Sequence, residues 1–229
     1  MGRRRERVRV ASTPRIVHFD GASWSDVYDG ASNGEHATFH DVWSSGENDV
    51  WFVGDVGLVL HWDGTSFSFA EVGGANDPVY AVGGTGANDV WIVGALGGNR
   101  NQFHHFDGSA WTTVFTDSNG GYEVSSVYAA STTNAWAAGV EGAPAYVFDG
   151  ATWAYADAAA THALQNSLQV WGSSGSDVWT VGEYGSVQHY DGTAWSPVAL
   201  TSDTVVGVSG TGPLDAWMVT SAGAILHHP

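Results

Sequence analysis

An all-β propeller of about five four-stranded blades is the fold predicted by two motifs that share one period, together with a composition suited to short strands and tight turns. The first motif is an aromatic-Asp-Gly turn followed by Trp. It reads VHFDGASW from Val17, LHWDGTSF from Leu60, HHFDGSAW from His104, YVFDGATW from Tyr146 and QHYDGTAW from Gln188. Its aspartates, Asp20, Asp63, Asp107, Asp149 and Asp191, lie 43, 44, 42 and 42 residues apart. The second motif runs in phase: NDVWFVG from Asn48, NDVWIVG from Asn88, TNAWAAG from Thr133, SDVWTVG from Ser176 and LDAWMVT from Leu214. The 31 glycines and only 14% charged residues argue for turns between short strands rather than for amphipathic helices.

Each period reads as four strands, A to D, as in TFHDVWSS, DVWFVG, LVLHWDG and SFSFAEV between residues 38 and 72. Gly, Asn, Asp and Ser bound each strand and supply its turn conformations. The chain stops at GAILHHP, where an Asp-Gly turn is due, and PRIVHFDGASW near the start supplies that turn. The expectation is a ring closed by N- and C-terminal strands, with strands A, B and C near residues 203–228 and a D strand near Trp24. One copy of strand C, near Ile16 or near Ile225, is then surplus. A flexible Arg-rich leader over 1–12 and a propeller over 13–229 complete the expected organisation.

Composition removes several function classes. The chain has no cysteine, so neither disulfides nor thiolate metal sites contribute. No apolar run is long enough to insert in a membrane, and no secretory signal is visible, although an extracytoplasmic or cell-surface location is favoured. The net charge is −17, and beyond residue 10 the only fixed positive side chains are Arg15 and Arg100. Such a body repels phosphate backbones, so nucleic acid is not an expected partner.

The C-to-D turn resembles the Asp-box of bacterial-neuraminidase-type repeats. FVGDVGLVLHWDGTSFS from Phe52 is similar to the repeats of photosystem II assembly factor propellers and of large secreted bacterial repeat proteins. The resemblance covers nearly everything after residue 14 and implies the propeller fold; the leading serine of the usual Asp-box is missing here. Sialidases share this turn but clamp the substrate carboxylate with three arginines, which this body does not have.

Features repeated in every blade read as architecture. His18, His61, His105, His189 and His227 are expected to hydrogen-bond within or between blades, because equivalent positions on separate blades diverge and cannot converge on one ion. Trp51, Trp91, Trp136, Trp179 and Trp217 are expected to pack blade on blade, and the turn aspartates to cap their turns. His36, His40 and Asp41 form the best local metal-like cluster, but Ca²⁺ or another cofactor has no strong motif behind it.

Function is sought where the repeats differ. The B-to-C and D-to-A connections share one face, the top face, and are variable. Aligning strand A on Trp43, Val82, Tyr128, Trp171 and Val208 places Asp41, Tyr80, Ser126, Gln169 and Val206 at one diverging position. Asp41, Tyr80 and Gln169, with Asn99, Arg100, Tyr122, Glu183 and Tyr184 from the connections, are the candidate ligand-binding residues. With no local acid-base pair, nucleophile elbow or zinc motif, a non-enzymatic binding module is expected. Its most concrete form is a monomeric lectin-like propeller that binds glycan on the top face. The alternative is a protein-interaction or adhesion scaffold without a small-molecule ligand; a carboxylate-dependent glycosidase ranks below both.

Overall fold

A computed structural model describes residues 14–30, 37–70, 72, 77–95, 101–117, 123–140, 145–156 and 167–229. The expected leader, His36, Asn99, Arg100 and Tyr122 lie outside the described residues. The chain divides into two compact units, 1–39 and 40–229.

The first unit holds a hairpin of β1 (Arg15–Phe19) and β2 (Trp24–Asp29). These antiparallel strands set Phe19 opposite Trp24. Arg15 donates to the Asp26 carboxylate at 2.6 Å across the hairpin. The strand beginning at Trp24 therefore pairs with the strand C copy near Ile16.

In the second unit four sheets follow the A-B-C-D order, all antiparallel. Sheet I is β3 (Phe39–Gly46), β4 (Asp49–Gly54), β5 (Val59–Trp62) and β6 (Phe67–Phe69). Sheet II is β7 (Val79–Gly86), β8 (Asp89–Gly94), β9 (Gln102–Phe106) and β10 (Trp111–Thr116). Sheet III is β11 (Glu123–Ser131), β12 (Asn134–Val140), β13 (Tyr146–Phe148) and β14 (Trp153–Tyr155). Sheet IV is β15 (Ser167–Ser174), β16 (Asp177–Gly182), β17 (Val187–Tyr190) and β18 (Trp195–Pro197). Sheet V, among the described residues, has three strands: β19 (Val205–Gly212), β20 (Asp215–Thr220) and β21 (Ile225–His228).

The Asp-Gly turns form as their chemistry dictates. Asp63 Oδ1 accepts the backbone N–H groups of Thr65 and Ser66, each at 2.8 Å, and Gly64 takes a left-handed φ of 88°. Asp20, Asp107, Asp149 and Asp191 repeat the arrangement. These backbone donors hold the exposed Asp63 carboxyl below its ordinary range. A Cβ on Gly64 would also strike the Asn48 side chain of the neighbouring A-to-B turn, so glycine is needed twice over.

Sheet-to-sheet packing is carried by the strand B tryptophans. Trp51 meets Phe106 and Trp111 of the next sheet, each with ring centroids 5.3 Å away. Trp91 meets Phe148 at 4.8 Å and Trp153 at 5.4 Å, and Trp136 meets Tyr190 at 4.9 Å and Trp195 at 5.5 Å. Each tryptophan thus caps an aromatic pair flanking the following Asp-Gly turn. Trp179 meets His228, the residue at that place in β21, at 4.9 Å.

The inner strands pack by size complementarity. A Cβ added to Gly84, Gly172 or Gly210 would lie 2.9, 2.6 or 2.7 Å from Trp43, Tyr128 or Trp171 of the preceding sheet. Sheet II has Gly83 and sheet V Ser209 where sheets I, III and IV carry that ring, and the residue packed on the sheet II position from sheet III is Ala129 rather than a glycine. A large residue on one sheet is matched by a missing Cβ on the next.

Candidate binding face

Four of the five repeated histidines, His61, His105, His189 and His227, are committed to architecture by a hydrogen-bond network around an aspartate. In sheet II the buried Asp89 accepts from Trp91 Nε1 at 3.1 Å, from His105 Nε2 at 2.7 Å and from the Thr85 hydroxyl. The His105 ring also lies 4.2 Å from the Trp91 ring, centroid to centroid. Burial pushes the Asp89 carboxyl up, but the hydrogen bonds from His105, Thr85 and Trp91 outweigh it and leave the group below its ordinary range. Asp49 gathers Ser45, Trp51 and His61, and Asp215 gathers Thr211, Trp217 and His227. Asp177 accepts from Ser173 and His189. Sheet III has lost the set together: Ala130, Asn134 and Val147 replace hydroxyl, carboxylate and imidazole, and only the Trp136-to-Asn134 bond of 3.0 Å remains.

The diverging strand A positions are mostly latches between sheets. Asp41 Oδ2 accepts the Val82 N–H at 3.0 Å, Ser126 Oγ accepts that of Val170 at 3.1 Å, and Gln169 Oε1 accepts that of Val208 at 2.8 Å. Asp41 is half-buried, and desolvation raises its pKa despite the two backbone N–H groups it binds. Tyr80 and Val206 stand one residue out of this register. β7, β11, β15 and β19 each carry a bulge at the same place, at Tyr80, Ser125, Leu168 and Val206, and two residues beyond the residue that follows it stand Gly83, Tyr128, Trp171 and Ser209, so the counterparts of Trp43 in β7 and β19 are Gly83 and Ser209 rather than Val82 and Val208. The residues equivalent to Asp41 are therefore Ala81, Ser126, Gln169 and Gly207.

Freed from the latch, Tyr80 joins a different group at the top-face ends of sheets I to III. His40 Nε2 donates to Asp55 Oδ1 at 2.7 Å, and the His40 ring lies 5.7 Å from the Tyr80 ring. Desolvation is the largest cause of a raised Tyr80 pKa; the negative charges of Glu123, Asp55 and Asp77 and a hydrogen bond to Glu123 add to it. Three carboxylates around one phenol form an acidic patch with few compensating cations.

The B-to-C connections of sheets I and IV have one geometry. Gly54 and Gly182 donate to Leu58 O and Ser186 O at 2.9 and 2.8 Å. Val56 and Tyr184 both adopt left-handed φ, 60° and 56°, each followed by a left-handed glycine. Side-chain-bearing residues pay for this conformation, and the outcome is a Tyr184 ring that is 84% exposed above sheet IV. Glu183 and Tyr184 thus stand on sheet IV, whereas the Tyr80 group stands on sheets I to III.

No family model matches the chain, and no curated protein does. Solved structures do match in shape. Sqt1 of Chaetomium thermophilum, bound to the N-terminus of ribosomal protein L10, superposes with a TM-score of 0.68 at 16% identity, over 95% of this chain and 66% of that one. The WD40 β-propeller domain of Doa1 gives 0.61 at 12% identity, over 82% and 64%. YCF48 of Cyanidioschyzon merolae gives 0.57 at 16% identity, over 83% and 66%. The fold is a β-propeller. The chain spans about two thirds of the length of these three propeller chains, and at these identities the likeness establishes architecture alone.

Proposed function

We propose that this propeller is a non-enzymatic protein-interaction module that receives a basic, extended segment of a partner protein on its top face. The observation that carries the reading is the patch of Asp55, Asp77, Glu123, Tyr80 and His40 on a body of net charge −17. Such a field attracts cationic segments and accelerates their encounter. Sqt1, a propeller of the same architecture, holds the N-terminus of another protein. The regular motifs serve folding, as the Asp-box resemblance implies, and leave the irregular connections for recognition.

Selection from a displayed peptide library tests this. Lys- and Arg-rich peptides are expected to enrich, and to lose affinity on the double variant Asp55→Asn, Glu123→Gln. Enrichment without regard to charge, or equal binding by the variant, overturns it. The glycan reading has one observation in its favour, the exposed Tyr184 ring, which suits stacking on a pyranose. A glycan array read with the native chain and with Tyr184→Ala decides that reading.

A further inference from the structure

We propose that the bound segment lies in one orientation, with its cationic residues over sheets I to III and an apolar residue over a corner formed by Leu168, Val206 and Tyr184. The inference deepens the peptide reading and rests on it. It starts from the bulges. In β7, β11, β15 and β19 one residue is left out of the ladder, Tyr80, Ser125, Leu168 and Val206, directly after a residue that is fully buried, Val79, Val124, Ser167 and Val205. A bulge re-aims a side chain that regular pairing would fix. His40 holds the same place in β3, three residues before Trp43 as Tyr80 stands three before Gly83.

These five residues form a row that runs from sheet to sheet. The His40 ring lies 5.7 Å from the Tyr80 ring, the Tyr80 phenol bonds to Glu123 at the start of β11, and the Ser125 hydroxyl donates to Leu168 O at 3.4 Å. The Gln169-to-Val208 bond of 2.8 Å joins β15 to β19 just beyond the last two bulges. Chemistry changes along the row. On sheets I to III it is polar, His40, Tyr80 and Ser125, and Asp55, Asp77 and Glu123 act on Tyr80. On sheets IV and V it is aliphatic, the half-buried Leu168 and then the exposed Val206. The Glu183–Gly185 turn packs against β19, and its left-handed Tyr184 adds an exposed ring. Glu183 and Asp203 keep this side acidic as well, so apolar surface rather than charge distinguishes it.

The row also sets a spacing. Packed sheets lie about 10 Å apart, and an extended chain advances about 3.3 Å per residue. From Tyr80 on sheet II to Leu168 on sheet IV is two such steps, so about six residues separate the cation of the bound segment from its apolar residue. Charge speeds the encounter, and removal of apolar area from water fixes the orientation. A reversed segment sets its cations against Leu168 and Val206 and leaves its apolar residue over three carboxylates.

Two labelled synthetic peptides, titrated with the full chain and read by fluorescence anisotropy, test this. One carries a lysine cluster with a leucine about six residues away, the other alanine in place of the leucine, and each is made in both sequence orders. In one order the leucine peptide is expected to bind the native chain about tenfold tighter than the alanine peptide, the effect of burying one aliphatic side chain. On Val206→Ser that preference is expected to fall to about twofold, and a thermal melt checks that the variant folds. On the double variant Asp55→Asn, Glu123→Gln both peptides are expected to weaken together and the preference to persist. Lysine peptides that bind in a salt-dependent way but show no leucine preference in either order, or a preference that Val206→Ser leaves at its native size, overturn the orientation and leave the peptide reading standing. Failure of every lysine peptide to bind overturns both.

Discussion

Removing Asp89 alone is expected to cost more than removing its whole network. In Asp89→Ala, three donors lose their acceptor at once: Thr85, Trp91 and His105. Trp91 is fully buried and His105 mostly so, which leaves little water to replace the carboxylate. Unsatisfied buried donors cost about 1–3 kcal/mol each, and partial relaxation brings the sum for Asp89→Ala to about 3–4 kcal/mol. The triple variant Thr85→Ala, Asp89→Asn, His105→Val reproduces what sheet III already contains. It removes two donors together with the charge and leaves the indole an amide oxygen, as Trp136 has on Asn134 at 3.0 Å. Its expected cost is about 1–2 kcal/mol, because no buried group is left unpaired. For a chain of this size each kcal/mol moves the melting midpoint by about 2–4 °C. Thermal and urea unfolding of the two variants therefore separate by several degrees, with the triple variant the more stable. A triple variant as unstable as Asp89→Ala, or less stable, refutes the view that the network acts as a unit.

Three further outcomes follow from single residues. His104 is 2% exposed, and desolvation lowers its pKa to about 4. Since the unfolded chain takes up this proton near pH 6.5 and the folded one only near 4, stability is complete above pH 6.5 and falls by about 3 kcal/mol as the pH drops to 4. His104→Leu, the residue present at Leu60 and Leu226, removes that loss in a pH series of urea melts. Gly172→Ala places a Cβ 2.6 Å from both the Tyr128 ring and the Asp177 carbonyl oxygen and is expected to destabilise by about 2–3 kcal/mol, read by thermal melting. Gln169→Leu orphans the Val208 N–H, costing about 1–2 kcal/mol and speeding hydrogen exchange at that amide, whereas Gln169→Glu keeps the acceptor and the protection.

The repeats were legible in the sequence because they answer local physical demands. Asp-Gly turns need a carboxylate cap and a left-handed glycine, and both reside within four residues of one another. Blade packing by tryptophan was equally readable, since a large apolar residue at a fixed phase has few other uses. The partner of the histidines was not read, although its signal was present: an aspartate stands two residues before each strand B tryptophan wherever His is kept, and Asn134 accompanies Val147. Pairing them requires knowing that strands B and C run side by side in that register.

The candidate site was harder because two strands carry a small residue, Gly83 and Ser209, where the others carry the ring that marks the register. Counting back from Val82 reached Tyr80, but the residue that matches Trp43 is the small Gly83, six residues before Asp89 as Trp43 is before Asp49, which makes Ala81 the counterpart of Asp41. Gln169 and Asp41 diverge in size yet share a duty as acceptors for the next sheet. The His40–Asp55 contact links residues fifteen apart in sequence across the start of β3 and the end of β4, which no spacing rule announces.

The most direct test of the division between a structural face and a recognising one is amide hydrogen exchange on the chain saturated with its best-selected basic peptide. Protection is expected at the top-face connections Asp55–Leu58 and Asp77–Tyr80, with the Asp-Gly turns unchanged. Protection at Asp63–Ser66 and the equivalent turns, with none at the top face, would contradict the account.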